Sequence, residues 1–399
     1  MKEGTHLLDF DGMTQPVALV GCTNLLELFP KVFQGWHYSS RDTASTLPVI
    51  TLRKQNNTYS LEAAWLKHSI YSNNSIDIVC AFIAELSQAY IRCNPHQLCL
   101  HAAAAEFSGR LVVFPNKYRT GKSLLSACLA ARGTRIFSDD VLPIDMDNGL
   151  GHAPGFQPRL RLPLPRDLSS RILKFLHDHR GPENDHYTYL NFSEKELAPK
   201  GLKLPIGAFV VLERSIGVKA QLCAIPADLV LRDVIWQNFA RGTDSPNILQ
   251  RLGSIVARAQ CYRLTYTHAE EAAAVLESYF TSWPSCEEQL VTSMSSVVGT
   301  TSSAKVKMLP IGCYMRQSQV HEVKLNGSRF LANSKGGAIY YLNPVGSSVW
   351  KLLEDPMSLD EMTRVLYSAF PETEQEQIRA DVTGLVNNLV ERQLLYSST

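Results

Sequence analysis

A chain of 399 residues, 45% hydrophobic and 19% charged, can bury a full core and is long enough for two or three domains. Its 39 basic side chains nearly cancel its 38 acidic ones, which excludes a global field that would draw in nucleic acid or an anionic membrane. The N-terminus lacks a basic-then-apolar signal pattern and the longest apolar stretch, 76–89, is broken by polar residues, so the expected location is cytoplasmic, with no membrane partner.

Residues 1–92 alternate short apolar runs, 17–20 and 49–52, with turn residues, and end in a helical pattern over 77–91. They read as a small α/β region without a chemical signature. Cys93, His96, Cys99 and His101 then lie close together, but their spacing matches no standard zinc module, and the nine cysteines fit reduced thiols. The plain reading is a helix end, a turn at Asn94-Pro95 and one buried strand over 98–105.

Residues 93–283 alternate strand and helix patterns, as an α/β layer fold requires. Strands are expected at 111–114, 134–137, 208–212 and 262–266, and helices at 122–132, which Gly133 is placed to end, and 268–280. Residues 284–307, crowded with serine and threonine, read as a linker. In 308–399, strands at 322–325, 329–332 and 338–342 precede three helices starting near Val345, Ser358 and Thr373. Ser358 with Glu361, and Thr373 with Glu376, read as capping boxes.

The chemistry concentrates between the second strand and the first helix of the middle region. Asn116-Lys117-Tyr118-Arg119-Thr120-Gly121-Lys122-Ser123-Leu124 occupies the position of a phosphate-binding loop. There, backbone amides and the helix dipole face phosphate oxygens, lysine reaches the outer phosphates and serine ligates magnesium. Asn116 replaces the usual first glycine, and asparagine best tolerates a left-handed backbone among the other residues. Ser138-Asp139-Asp140 follows the next strand, where one carboxylate can hold magnesium and the other can accept a hydroxyl proton.

His101, Gly121-Lys122-Ser123, Arg132-Gly133 and Asp139-Asp140 together resemble the bacterial HPr kinase/phosphorylase group, with gap-free spacing. That resemblance implies a P-loop kinase core in which Asp140 is the proton acceptor, Lys122 holds phosphate, Ser123 and Asp139 ligate Mg2+, and His101 assists. The nucleotide would be ATP or GTP. The family's magnesium-binding glutamate has no counterpart. Pro158-Arg159-Leu160-Arg161-Leu162 occupies its neighbourhood and looks more like the related kinases that modify ribosomal peptides. Arg159 or Arg161 would hold a phosphate or an anionic peptide group, or serve as a surface charge.

The C-terminal region resembles a PqqD-like domain, the RiPP recognition element that captures the leader of a ribosomally made peptide. The residues that carry this are 338–343, then Val349-Trp350 with Leu352-Leu353, and later Asp381-Val382, Leu385, Leu389 and Leu394-Leu395. The resemblance implies a winged-helix arrangement of three strands and three helices, binding a peptide as an added edge strand. Ile339, Tyr340, Tyr341 and Leu342 would form the edge, and Val382, Leu385, Val386 and Leu389 the groove wall. The last helix sets Asp381 and Glu391 against Arg379 and Arg392, with no basic stripe for nucleic acid.

The combined expectation is an ATP- and magnesium-dependent kinase acting on a serine or threonine of a precursor peptide, alongside other RiPP enzymes. Two other readings stay open: a non-catalytic nucleotide-binding adaptor that presents a peptide, and an ATP-gated winged-helix regulator. The acceptor and the oligomeric state are open as well.

Overall fold

The computed structural model describes residues 5–41, 46–115, 120–238, 244–283, 300–301, 309–333 and 337–398. Two compact units emerge, one from residues 1–225, 237–240 and 259–291, the other from 226–236, 241–258 and 292–399.

The first unit opens with strands β1 (Thr5–Phe10) and β2 (Val17–Val20), a one-turn helix α1 (Phe29–Val32), and strands β3 (Tyr38–Arg41), β4 (Ile50–Gln55), β5 (Thr58–Ala63) and β6 (Ile70–Ser72). They form a six-stranded sheet in the order β3-β1-β2-β4-β5-β6. Helix α2 (Ser75–Cys93) starts where the Asn74 side chain accepts from the Ile76 and Asp77 amides. Ile78, Phe82 and Leu86 recur every fourth residue and are buried, with Phe82 against Phe10, Phe29 and Phe33.

Strands β7 (Gln97–Leu100), β8 (Ala103–Phe107) and β9 (Arg110–Phe114) lead into helix α3 (Lys122–Ala130) and strands β10 (Ile136–Ser138), β11 (Leu142–Asp145) and β12 (Leu150–His152). A small sheet follows, made of β13 (Arg159–Arg161), β14 (Arg180–Glu183) and β15 (Tyr187–Leu190), with helix α4 (Ser170–Asp178) inserted after β13. Strands β16 (Lys203–Arg214) and β17 (Gln221–Ala224) come next. Helices α5 (Ala227–Gln237) and α6 (Ser245–Arg258) then separate β17 from β18 (Gln260–Tyr266) and helix α7 (Ala269–Phe280).

A nine-stranded sheet results, with β9, β16 and β18 parallel to one another. Its centre is an unbroken apolar run because it is covered: Val112 and Val210 are buried with Leu125 and Leu129 of α3 and Ala272 and Leu276 of α7. Helix α3 ends two residues earlier than expected. Gly133, at φ +93°, takes the left-handed turn and donates its N–H to the Ala130 carbonyl. The single strand expected over 98–105 is two strands. β7 pairs with β11, β8 pairs with β9 and β10, and the chain turns between them at His101 and Ala102.

The second unit contains strands β19 (Thr300–Thr301), β20 (Cys313–Arg316), β21 (Val320–Leu325), β22 (Ser328–Asn333) and β23 (Ile339–Leu342). Helix α8 (Pro344–Leu352), strand β24 (Met357–Ser358), helices α9 (Leu359–Ala369) and α10 (Gln375–Glu391) and strand β25 (Leu395–Ser397) complete it. One sheet runs β19-β21-β22-β23 and another β24-β20-β25. The expected three strands and three helices are β21–β23 and α8–α10, packed around Leu331, Trp350, Met362 and Val386. The Trp350 indole donates to Glu322 at 2.8 Å, which satisfies the polar edge of a fully buried ring.

Ser358 and Glu361 form the expected capping box. Thr373 and Glu376 do not: α10 begins after Glu374, without a side-chain cap. Helices α5 and α6 also differ from their sequence assignment to 93–283, because they pack in this second unit. Gly253 lets the α6 backbone approach Val323, where an added Cβ would stand 2.9 Å away. Ser328 Oγ donates to Asp228 of α5 at 2.7 Å, and the Ala227 amide donates to Asn326 at 3.0 Å. Most of the expected 284–307 linker lies outside the described residues; within it, Thr300–Thr301 pairs with β21.

Candidate functional site

Gly121 caps α3 from the left-handed region, at φ +89°, a conformation that glycine alone adopts without steric cost. Tyr266, the last residue of β18, donates its hydroxyl to the Thr120 carbonyl at 3.0 Å and so ties the loop exit to the sheet. Lys122, Ser123 and Leu124 form the first turn of the helix, the end at which backbone amides and the helix dipole favour an anion. Asn116, Lys117, Tyr118 and Arg119 lie outside the described residues.

Four expected residues converge beside this helix start. Ser138 is fully buried and its hydroxyl lies 2.7 Å from the Val141 carbonyl and 3.1 Å from that of Ala102, which pins the turn carrying the two aspartates to the bend after His101. His101 Nε2 meets Asp140 Oδ1 at 2.7 Å, and the Asp140 side chain stays 62% exposed. Burial would raise the Asp140 carboxyl, but the His101 hydrogen bond and charge, with Lys122 and Arg159, outweigh it and hold the group below the ordinary carboxylate range.

Asp139 is its opposite. It is buried, and burial together with the Asp140 charge raises its pKa against the pull of the Ser123 hydroxyl, the Arg159 amide and Lys122. The Arg159 N–H reaches Oδ2 at 3.4 Å, whereas Oδ1 is buried without a hydrogen-bond partner among the described residues. Lys122 is 8% exposed, and burial lowers its ammonium pKa against the attraction of Asp140 and Asp139. Two adjacent carboxylates are thus pushed apart, one kept ionised at the mouth and one uncomfortable inside.

Arg159 and Arg161 stand on one face of β13, both over the ring of Tyr187, at 4.3 and 5.8 Å from its centroid. The Arg159 guanidinium also contacts Cys80 of α2, itself hydrogen-bonded to Tyr189. Sequence reasoning missed Cys80, Tyr187, Tyr189 and Tyr266. Only Tyr266 carried a usable signal, as the polar end of an apolar strand in the sheet that the loop leaves. Among the described residues no three His, Cys, Asp or Glu side chains cluster closely enough to hold a metal, and Cys99 is buried in β7. Nor is any described helix long and apolar enough to cross a membrane.

In the second unit, β23 is the edge of its sheet. A cavity of 580 Å³ lies beside it, lined among others by Leu342, Val349, Ile378, Asp381, Val382 and Leu385. Tyr341 lines it as well, and Ile339 is half-buried on the same edge strand. Tyr340 packs against the core, while Val386 and Leu389 are buried inside it and form no part of the cavity wall, a correction to their expected role. No curated protein matches the chain. A family model does: residues 329–395 match the family described as Coenzyme PQQ synthesis protein D (PqqD), so this segment of the second unit is a PqqD-family domain.

Proposed function

We propose that the protein is an ATP- and magnesium-dependent kinase that phosphorylates a serine or threonine hydroxyl of a ribosomally made precursor peptide, whose leader docks on the PqqD-family domain. The observation that carries this reading is the divided aspartate pair beside the α3 N-terminus. Asp140 stays ionised and exposed on His101 at 2.7 Å, while Asp139 sits buried with Ser123 and an unpartnered oxygen.

Ser123 and Asp139 offer hard oxygen donors, the set that magnesium prefers, and they would hold it there. Bound with a nucleotide, the ion would neutralise charge on the outer phosphates. Lys122 and the first amides of α3 would orient those phosphates. A carboxylate held below its usual pKa is a weak base, so the first task of Asp140 is to orient the acceptor hydroxyl by a hydrogen bond. It takes the proton as the acceptor oxygen bonds to the γ-phosphorus and the bond from that phosphorus to the bridging oxygen breaks, releasing ADP with its charge held by Lys122. The half-buried Arg159 supplies positive charge facing the same aspartates.

Incubation with labelled ATP, magnesium and the short peptides encoded beside the gene tests the proposal. Label should enter a peptide, and Asp140→Asn should slow transfer by about 10²–10⁴-fold while leaving the melting curve in place. Absence of label with every such peptide, or an Asp140→Asn variant as fast as the parent, refutes it. Arg159 beside the aspartates, where the resemblance calls for an acidic metal ligand, favours a second reading as a nucleotide-binding adaptor. Tight ATP binding without turnover identifies that case.

A further inference from the structure

Helix α6 packs on the sheet that ends in β23, and α5 reaches the same sheet through Asp228 and Arg232. Side chains of β23 alternate between two surroundings: Tyr340 and Leu342 pack with α8–α10, whereas Tyr341 stacks on Phe330 at 5.2 Å and its hydroxyl lies 3.3 Å from Ser328 Oγ, the donor to Asp228 of α5. On that second face, the Arg232 guanidinium of α5 sits 5.7 Å from the Tyr341 ring centroid. Arg232 lies outside the matched PqqD segment, 329–395. It is 42% exposed, and its guanidinium lies 3.7 Å from Asp233.

A peptide strand added at the β23 edge must alternate in the same way. Side chains two positions apart enter the 580 Å³ cavity, which Tyr341 also lines, and the one between them faces Arg232, which stands against the Tyr341 ring. We propose that the captured segment is an extended peptide read on both faces, with two apolar side chains in the cavity and an aspartate or glutamate between them held by Arg232. This deepens the leader-docking reading above and rests on it. Charge decides the order. Asp381, oriented by Gln377 at 2.9 Å, stands in the cavity wall and repels a carboxylate there, while Arg232 attracts one on the opposite face.

Selection of short random peptides displayed on phage, using the full chain and its Arg232→Glu variant in parallel, tests the proposal. The parent should enrich apolar residues two apart around Asp or Glu, and Arg232→Glu should turn the central preference to Lys or Arg. In anisotropy titrations of a selected peptide, replacing its central Glu by Lys should weaken parent binding about five- to tenfold, with the order reversed for Arg232→Glu. Arg232→Gln, expected to erase the preference without reversing it, keeps the test intact should Arg232→Glu fail to fold.

Alternating apolar peptides with no charge preference in either chain overturn this inference and leave leader docking standing. No enrichment above a Val345→Asp variant, altered at an exposed position in the cavity mouth, overturns both. A concentration-dependent dimer that no selected peptide displaces assigns the edge to a second copy of the chain, and overturns both as well.

Discussion

Replacing Gly121 by alanine puts the loop exit under a measurable strain. A residue with a Cβ held at φ +89° costs about 1–2 kcal/mol relative to glycine. The new methyl would stand 3.1 Å from Tyr266 Oη, tighter than ordinary contact, so the hydroxyl must retreat from the Thr120 carbonyl and weaken a bond worth about 1 kcal/mol. The total of about 2–3 kcal/mol corresponds to a fall of about 4–12 °C in the melting transition of the first unit.

Scanning calorimetry of the full chain, with and without ATP and magnesium, measures this. Gly121→Ala should lower the transition and shrink its nucleotide-induced rise, since the α3 amides lose their fixed direction. Tyr266→Phe alone should cost about 1 kcal/mol, and the double variant less than the sum, because the clashing oxygen is gone. A Gly121→Ala chain that melts with the parent and keeps its full response to ATP refutes the reasoning about both the backbone and the tether.

Asp139→Asn should abolish transfer yet raise thermal stability at neutral pH. A carboxyl whose folded pKa lies above its ordinary 3.8 destabilises the fold increasingly as pH rises through that value, so the gain should fade in acid; melting curves across pH check the sign. Gly207→Ala would bring a Cβ within 2.3 Å of the Trp283 ring and should destabilise by about 1–3 kcal/mol, with Trp283→Leu restoring part of it in a denaturant titration. Arg159→Lys keeps the charge but loses the planar stack on Tyr187 at 4.3 Å, and should slow transfer about tenfold in a single-turnover assay without shifting the melting curve.

Local chemistry was legible where the deciding contacts are local. The strand before the loop, the glycine that opens α3 and the glycine that closes it follow from apolar run length and backbone freedom, and the structure has all three. The break at His101 was not legible. Ala102, Ala103, Ala104 and Ala105 give no turn signal, and what divides the strand is pairing with β11 on one side and β9 on the other. Thr373 illustrates the same limit at a helix start, since a box-like spacing cannot say which residue the chain lets reach the amide. The contact of Cys80 with Arg159 joins residues 79 apart, and no spacing rule reaches that far. For α5 and α6, the amphipathic pattern announces a buried face but not the surface that covers it.

The interleaving of the two units also bears on how the chain is made. Helices α5 and α6 leave the ribosome roughly sixty residues before β21 and β22, a wait of ~3–12 s at ordinary elongation rates. During that interval Ile248, Leu249, Leu252, Ile255 and Val256, buried in the finished protein, have no sheet to lie on. A newborn chain stalled between 258 and 320 therefore displays a sticky helical pair without the strands that cover it, and is a natural client for a holdase. A gene cut at 308 would strand the same two helices permanently, so the C-terminal half cannot be moved between proteins as an independent cassette without them.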